Sequence, residues 1–314
     1  MTCPACGLSS FSLLHENVHD FEHAVPGEIN FEICSYCGLV LQDPQPTRVS
    51  LLSAYPADYR AHALGRKASG LALILRRIKQ IQANLLVSRL SKFLPADRNA
   101  KILDLGCGGG HILYALRRRG YLQLTGLDQD SSLSRDFEGS TIRYTARDIE
   151  TIENIEGPYD VIIMVNVIEH FLEPKRILSI CCKSLLPEGK ILIITPNASA
   201  LSHKVFGAFW SGLHAPRHTL IFNPANFRQL ASRQGLTEIY SVTLPDPGSW
   251  AISFQNWVRH FRKRKGVLAT GTAWYSIALL PFWQLLATVE NILGRGSSFL
   301  SALSLNAPKR SNQE

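Results

Sequence analysis

Residues 101–112, KILDLGCGGGHI, constrain this chain more than any other stretch. An apolar, β-type run ending in Asp104 and Leu105 passes into Gly106, Gly108, Gly109 and Gly110, and a helical pattern follows at once from Ile112 to Arg119. A strand that turns through glycines into a helix lets backbone approach a ligand closely, and the helix N-terminus offers N–H groups to it. A dinucleotide fingerprint wants glycine at the first, third and sixth positions of such a turn. Gly106 and Gly108 fit, but the sixth position is His111. The spelling is instead D-L-G-C-G-G-G, an acidic residue closing the strand and then a glycine run.

Four further pieces follow in order. Asp128 ends a second apolar run, LTGLDQD, where its carboxylate can accept from two hydroxyls at once. Asp148 and Ile149 follow a third run, YDVIIMVNVIEH is a fourth, and GKILIITPN, preceded by the helix-like PKRILSICCKSLLPE, is a fifth. In order and spacing these five pieces resemble the class I S-adenosylmethionine-dependent methyltransferases across residues 101–243, the glycine turn standing as their motif I. The resemblance implies an α/β fold, a Rossmann-like seven-stranded sheet with helices on both faces. It also implies a cofactor site. Asp104 would orient the glycine loop and the amino-acid end of S-adenosylmethionine, while Gly106, Gly108 and Gly110 let the backbone pass close to it. Asp128 would hold the ribose, and Asp148 with the backbone of Ile149 would read the adenine. The segment from Asn166 to His170 would face the methionine end and the acceptor.

Residues 1–47 carry a second signal. Cys3 and Cys6, then Cys34 and Cys37, form two C-x-x-C pairs, each followed by glycine. Two such knuckles make a four-thiolate site suited to a structural zinc ion; rubredoxin-like iron fits the same ligands. A segment so small has little core of its own, so a metal would supply its folding energy. His15, His19 and His23 are alternative ligands expected to be solvated instead. Cysteines paired at metal spacing argue for a reducing, cytoplasmic setting, and MTCPACG does not read as a signal peptide.

The stretch 39–65 looks like a connector that hugs a surface. It resembles, in C-G-L-V…P-x-P leading to tyrosines, methyltransferases of glycans and small molecules that carry an N-terminal cysteine module. That resemblance offers Tyr55 and Tyr59 as cofactor or substrate contacts; packing on a linker is the alternative. Residues 68–94 read as an amphipathic helix before the first strand of the sheet. Leu71, Leu75, Ile78, Ile81, Leu85 and Leu86 form its apolar face, and Pro95 ends it.

After the fifth piece comes a loop rich in Trp, His and Phe, whose W-x-x-x-x-x-P-R-H-x-x-x-F spelling (Trp210, Pro216, Arg217, His218, Phe222) resembles related methyltransferases. It would lie above the carboxyl edge of the strands, where ligands of open α/β sheets bind. Trp210, Arg217 and Tyr59 are the substrate-contact candidates, Arg217 through a planar fork that can fix an acidic group. His170, His214 and His218 can each carry a proton near neutral pH, and His170 or His214 is the expected base.

Residues 224–243 fit a sixth strand with its preceding helix, and 297–307 a seventh. Between them, 244–296 form a hydrophobic insertion: a basic cluster, RHFRKRK, precedes residues 266–289, which contain no Asp, Glu, Lys or Arg. That length could span a bilayer, yet pairing of the last two strands requires the chain to return to the side it left. A helical hairpin at the membrane interface is therefore expected, with Trp250, Trp257, Trp274 and Trp283 as headgroup anchors; a cap over the substrate or a dimer interface is the alternative. The net charge of +8 favours an acidic partner, such as an anionic or lipid-linked acceptor or an anionic membrane met through 259–294. An RNA methyltransferase is a rival reading, but no platform of interleaved basic and aromatic residues supports it. A non-catalytic scaffold is a second rival, opposed by the intact glycine loop. The expected organisation is a zinc-ribbon-like module (1–47), a linker and helix (48–100), the cofactor-binding core (101–243), the insertion (244–296) and a last strand with its tail (297–314).

Overall fold

The computed structural model describes residues 1–23, 25–55, 71–262 and 273–306. Tyr59 and the Lys263, Arg264 and Lys265 part of the basic cluster lie outside them. The chain begins with three strands, β1 (Phe11–Val18), β2 (Ile29–Cys34) and β3 (Val40–Asp43), followed by helices α1 (Arg48–Ser53) and α2 (Leu71–Leu90). The core then alternates: β4 (Lys101–Leu105), α3 (His111–Arg118), β5 (Gln123–Asp128), α4 (Ser134–Phe137), β6 (Arg143–Ala146), β7 (Tyr159–Val165), α5 (Pro174–Lys183) and β8 (Leu185–Pro196). Beyond it come α6 (Leu201–Phe206), β9 (Leu220–Ile221), α7 (Pro224–Ser232), β10 (Leu236–Leu244), α8 (Pro247–Phe261), α9 (Trp274–Ala278), α10 (Leu280–Ile292) and β11 (Ser298–Leu305).

Seven strands make one sheet in the order β10-β11-β8-β7-β4-β5-β6. The runs KILDL, YDVIIMV and KILIIT are apolar almost throughout, as strands covered on both faces must be, and they pair in parallel. The last strand, β11, inserts antiparallel between β8 and β10. Between β4 and β7 the strand order reverses, so the carboxyl ends of β4, β5 and β7 open onto a common crevice.

A second sheet, β1-β2-β3-β9, joins the cysteine module to the core, because β9 belongs to the loop after β8. Val40 and Leu41 pair with Ile221 and Leu220. Helix α7 strengthens the joint. Asn223 and Asn226 form a reciprocal capping box, and both side-chain amides donate to the Cys37 carbonyl at 3.2 Å.

Two expectations change here. The apolar face read for α2 is only partly the buried one: Ile81 and Leu85 are exposed, Leu86 packs against the core, and Ala83, Val87 and Leu90 are buried in it. Helix α2 is apolar on several sides, and docking against α3, where Arg118 and Arg119 reach Asn84 and Ser88, chooses its orientation. In the insertion, α8 packs on α10 around Trp250, Trp283 and Ala287. Trp250 and Trp283 are therefore core residues rather than headgroup anchors, Trp250 donating to buried Glu290 at 2.9 Å. Among the described residues no helix is long and apolar enough to cross a membrane.

Candidate active site

A cleft of about 840 Å³ lies over the carboxyl ends of β4, β5 and β7 and is walled by α1, α2, the loop after β8, and α8. At its cofactor end the glycine turn is built tightly. Gly106, Gly108 and Gly110 all hold positive φ, and Gly110 is the N-cap of α3. A Cβ at Gly106 would stand 2.5 Å from Val167, and one at Gly110 2.6 Å from Phe137, so side chains are excluded where the backbone must turn. The Gly106 N–H donates to Leu127 O at 2.7 Å. Asp128 accepts from the Gly108 N–H at 2.9 Å and the Asp130 N–H at 3.1 Å.

Asp104 is buried beneath this loop with its Oδ2 lacking any hydrogen-bond partner among the described residues. Desolvation, and then the charge of Asp128, push its pKa up to about 7. An orphaned buried carboxylate next to a glycine cradle is a fit for the cationic methionine end of S-adenosylmethionine. Asn166, at left-handed φ 54, and Ile149 also line the cleft. Asp148 does too, but Arg48 of α1 grips it, Nε donating to Oδ2 at 3.1 Å and Nη2 to Oδ1, and Nη2 also reaches Gln129 Oε1 at 3.1 Å. The sequence reading had no place for Arg48, which stands 100 residues from its partner.

At the other end stand three histidines. The rings of His170 and His218 are 4.5 Å apart, and His214 lies 5.0 Å from His218. Each makes a contact that defines its tautomer, since carbonyl and carboxylate oxygens only accept. His170 Nδ1 lies 3.0 Å from Arg217 O and 2.9 Å from the Tyr55 hydroxyl, so Nδ1 carries the proton and Nε2 the lone pair. His218 Nδ1 donates to Gly212 O at 2.8 Å, with its Nε2 3.8 Å from Glu169 Oε1. His214 donates from Nδ1 to Glu22 Oε1 at 3.2 Å and accepts at Nε2 from Arg217 Nε at 2.9 Å. Both nitrogens of His214 are thereby committed, which leaves His170 as the better placed base.

Burial above all pushes His170 down to about 3, and burial likewise pushes His218 well below its ordinary value. Both imidazoles are neutral at physiological pH. Burial also raises Glu169 to about 8. Its Oε2 accepts from Thr195 Oγ1 at 2.9 Å.

Arg217 stands behind the cleft wall, whereas Trp210 lines the cleft with its ring almost wholly buried. Arg217 is wholly buried, with Nη1 donating to Asp20 Oδ2 at 2.9 Å and to Ala54 O at 3.0 Å. The Trp210 ring is stacked on His203, and its indole N–H reaches Ser202 and Ser249 hydroxyls at 3.1 and 3.2 Å. Asp20 and Glu22 went unremarked in the sequence, because no local spacing ties a loop of the cysteine module to residues nearly two hundred positions later.

The cysteines gather as their spacing requires. All are free thiols, and Cys3, Cys6, Cys34 and Cys37 bring their sulfurs within 4.8 Å of one another. The Cys3–Cys37 and Cys6–Cys34 separations of 3.6 Å match the edge of about 3.8 Å expected for a tetrahedron of thiolates about 2.3 Å from zinc.

Comparison with known proteins agrees with this geometry. A chain of the Haloferax volcanii complex between a methyltransferase activator and a methyltransferase superposes with a TM-score of 0.51 at 16% identity, covering 72% of this chain and 90% of that one. Coclaurine N-methyltransferase, solved with N-methylheliamine and SAH, gives 0.50 at 14% identity over 84% of this chain and 83% of its own. These likenesses show the fold. A ubiquinone biosynthesis O-methyltransferase of Idiomarina loihiensis is 31% identical over 154 residues, 44% of this chain and 62% of that relative, so under two thirds of the relative is matched. The model of the family described as "Methyltransferase domain" matches residues 76–241, more than half of the chain. The chain is a class I S-adenosylmethionine-dependent methyltransferase by family: it belongs to the methyltransferase-domain proteins.

Proposed function

We propose that this protein methylates a hydroxyl of a small sugar- or lipid-linked molecule, using S-adenosylmethionine. The observation that carries the reading is one crevice with two ends: a glycine turn over the orphaned Asp104 and the ribose-ready Asp128, and a neutral His170 at the far wall. S-adenosylmethionine supplies an electrophilic methyl group on a sulfonium when bound. The chain's own residues would do the rest. Asp104, the glycine backbone and Asp128 hold and orient; Asp148, clamped by Arg48, stands at the adenine end. His170 Nε2 takes the hydroxyl proton, and the cleft walls align the acceptor for in-line displacement. The O-methyltransferase named above favours a hydroxyl acceptor. A lipid-linked one is supported by Ile252 of α8 and Gln284 of α10, which line the cleft on helices whose outer faces are apolar. The four cysteines would hold structural zinc.

Titration calorimetry of the metal-replete protein with S-adenosylmethionine tests the reading. We expect saturable binding by the wild type and at least tenfold weaker binding by Asp128→Ala, which loses the ribose acceptor and the Gly108 anchor, about 1.4 kcal/mol. A folded wild type that gives no heat with the cofactor overturns the proposal.

A further inference from the structure

We infer that the cysteine module is part of the acceptor site, its β1–β2 loop acting through Asp20 and Glu22 to fix the tautomer and orientation of His214 and His170. The inference rests on the methyltransferase reading only in naming that wall as the acceptor's. The connection is continuous. Asp20, in the loop between β1 and β2, has its carboxylate organised before it meets the core, Oδ1 accepting from the backbone N–H groups of Glu22 and His23 at 3.0 and 2.9 Å. Its Oδ2 then takes Arg217 Nη1 at 2.9 Å with both side chains almost wholly buried. A guanidinium so held has one orientation, because Ala54 O takes Nη1 from a second direction and Nε points at His214 Nε2. Glu22 closes the other side of His214 through Nδ1.

The peptide of the same arginine reaches the reacting end. Arg217 O accepts from His170 Nδ1, so the residue whose side chain is locked by Asp20 also presents the carbonyl that assigns the His170 lone pair to Nε2. The module holds this backbone directly as well. Gln42 of β3 donates through Nε2 to Pro216 O and to His218 O, both at 2.7 Å, and its N–H donates to Thr219 O at 3.1 Å. Burial raises the cost of any broken link here, since an unpaired guanidinium or carboxylate in this position has no water to turn to. Asp20, Glu22 and Gln42 are positioning residues: they act through Arg217, His214 and the loop carbonyls.

The test uses the full, zinc-loaded chain labelled with ¹⁵N-histidine and saturated with S-adenosylhomocysteine. Long-range ¹H–¹⁵N correlations report which nitrogen of each ring is protonated. The wild type should show His170, His214 and His218 as single Nδ1–H tautomers. In Asp20→Asn and in Glu22→Ala the His214 and His170 resonances should shift toward a mixture of tautomers, while affinity for S-adenosylhomocysteine stays within twofold. Asp20→Glu should return the resonances part of the way, a response that a merely space-filling role would not give. Unchanged His214 and His170 signals in variants that still bind S-adenosylhomocysteine overturn the inference. If Asp20→Asn does not fold, Glu22→Ala decides by the same two signals. Loss of S-adenosylhomocysteine binding by the wild type would count against the methyltransferase reading instead, while its histidine spectra still judge the positioning.

Discussion

Asp104 is buried from water, and its Oδ2 has no hydrogen-bond partner among the described residues. Raised to about 7 by burial and by Asp128, it is largely protonated below neutrality. A group raised in the folded state adds stability at low pH and loses it as pH climbs through that value. Cofactor binding should show the opposite trend, because the anion is what a sulfonium and an ammonium favour. We expect affinity for S-adenosylmethionine to tighten roughly tenfold from about pH 6 to about pH 8 in calorimetric titrations, with proton release on binding. Asp104→Asn should flatten that dependence and weaken binding at the upper end. A flat wild-type profile would place the cation elsewhere. At this scale the motif residues Asp104, Gly106 and Asp128 were legible, because strand, turn and helix adjoin in sequence. Arg48 on Asp148 and Glu22 on His214 were not, because a side-chain pair across the fold leaves no periodic trace.

Among the elements, the cysteine module shows how a short segment with little interior is made rigid. Its strands are partly exposed along β1, and its two knuckles bring their four sulfurs within 4.8 Å of one another. Zinc at those sulfurs should carry folding free energy outright. Stripping it with a strong chelator is expected to lower the melting temperature by about 5 °C or more. It should also loosen β9 and the loop that carries His214, Arg217 and His218, seen as faster amide exchange at Leu220 and Ile221. A chelated protein with unchanged melting and exchange would make the metal dispensable. Spacing alone foretold that the four cysteines would gather. It could not foretell that β3 would recruit β9, since a two-residue strand has no pattern of its own. Nor could apolar residues on several sides of α2 say which side would be buried.

Over the whole molecule, the insertion exposes several large apolar side chains. Phe261, Leu280, Phe282, Leu285, Ile292 and Leu293 are all exposed on α8, α10 and the turn after it, with Arg259 and Arg262 nearby in sequence. Exposed apolar side chains with arginines near them in sequence are what an anionic bilayer surface would engage. The protein should sediment with phosphatidylserine vesicles at low salt, release as salt rises, and lose at least half of that binding on the double change Phe282→Asp and Leu285→Asp, cofactor affinity being unaffected. Equal recovery with neutral and anionic vesicles would remove charge from the account. The sequence by itself determined the sheet, the glycine turn, the four-cysteine cluster and a helical insertion before the last strand, because each is written in local spacing or periodicity. Only the tertiary structure decided that Trp250 and Trp283 turn inward, that Arg217 is buried against Asp20, and that an acidic loop of the first fifty residues reaches Arg217 and His214. Those outcomes depend on which surfaces meet and which charges lose their water, and both are settled only when distant segments pack.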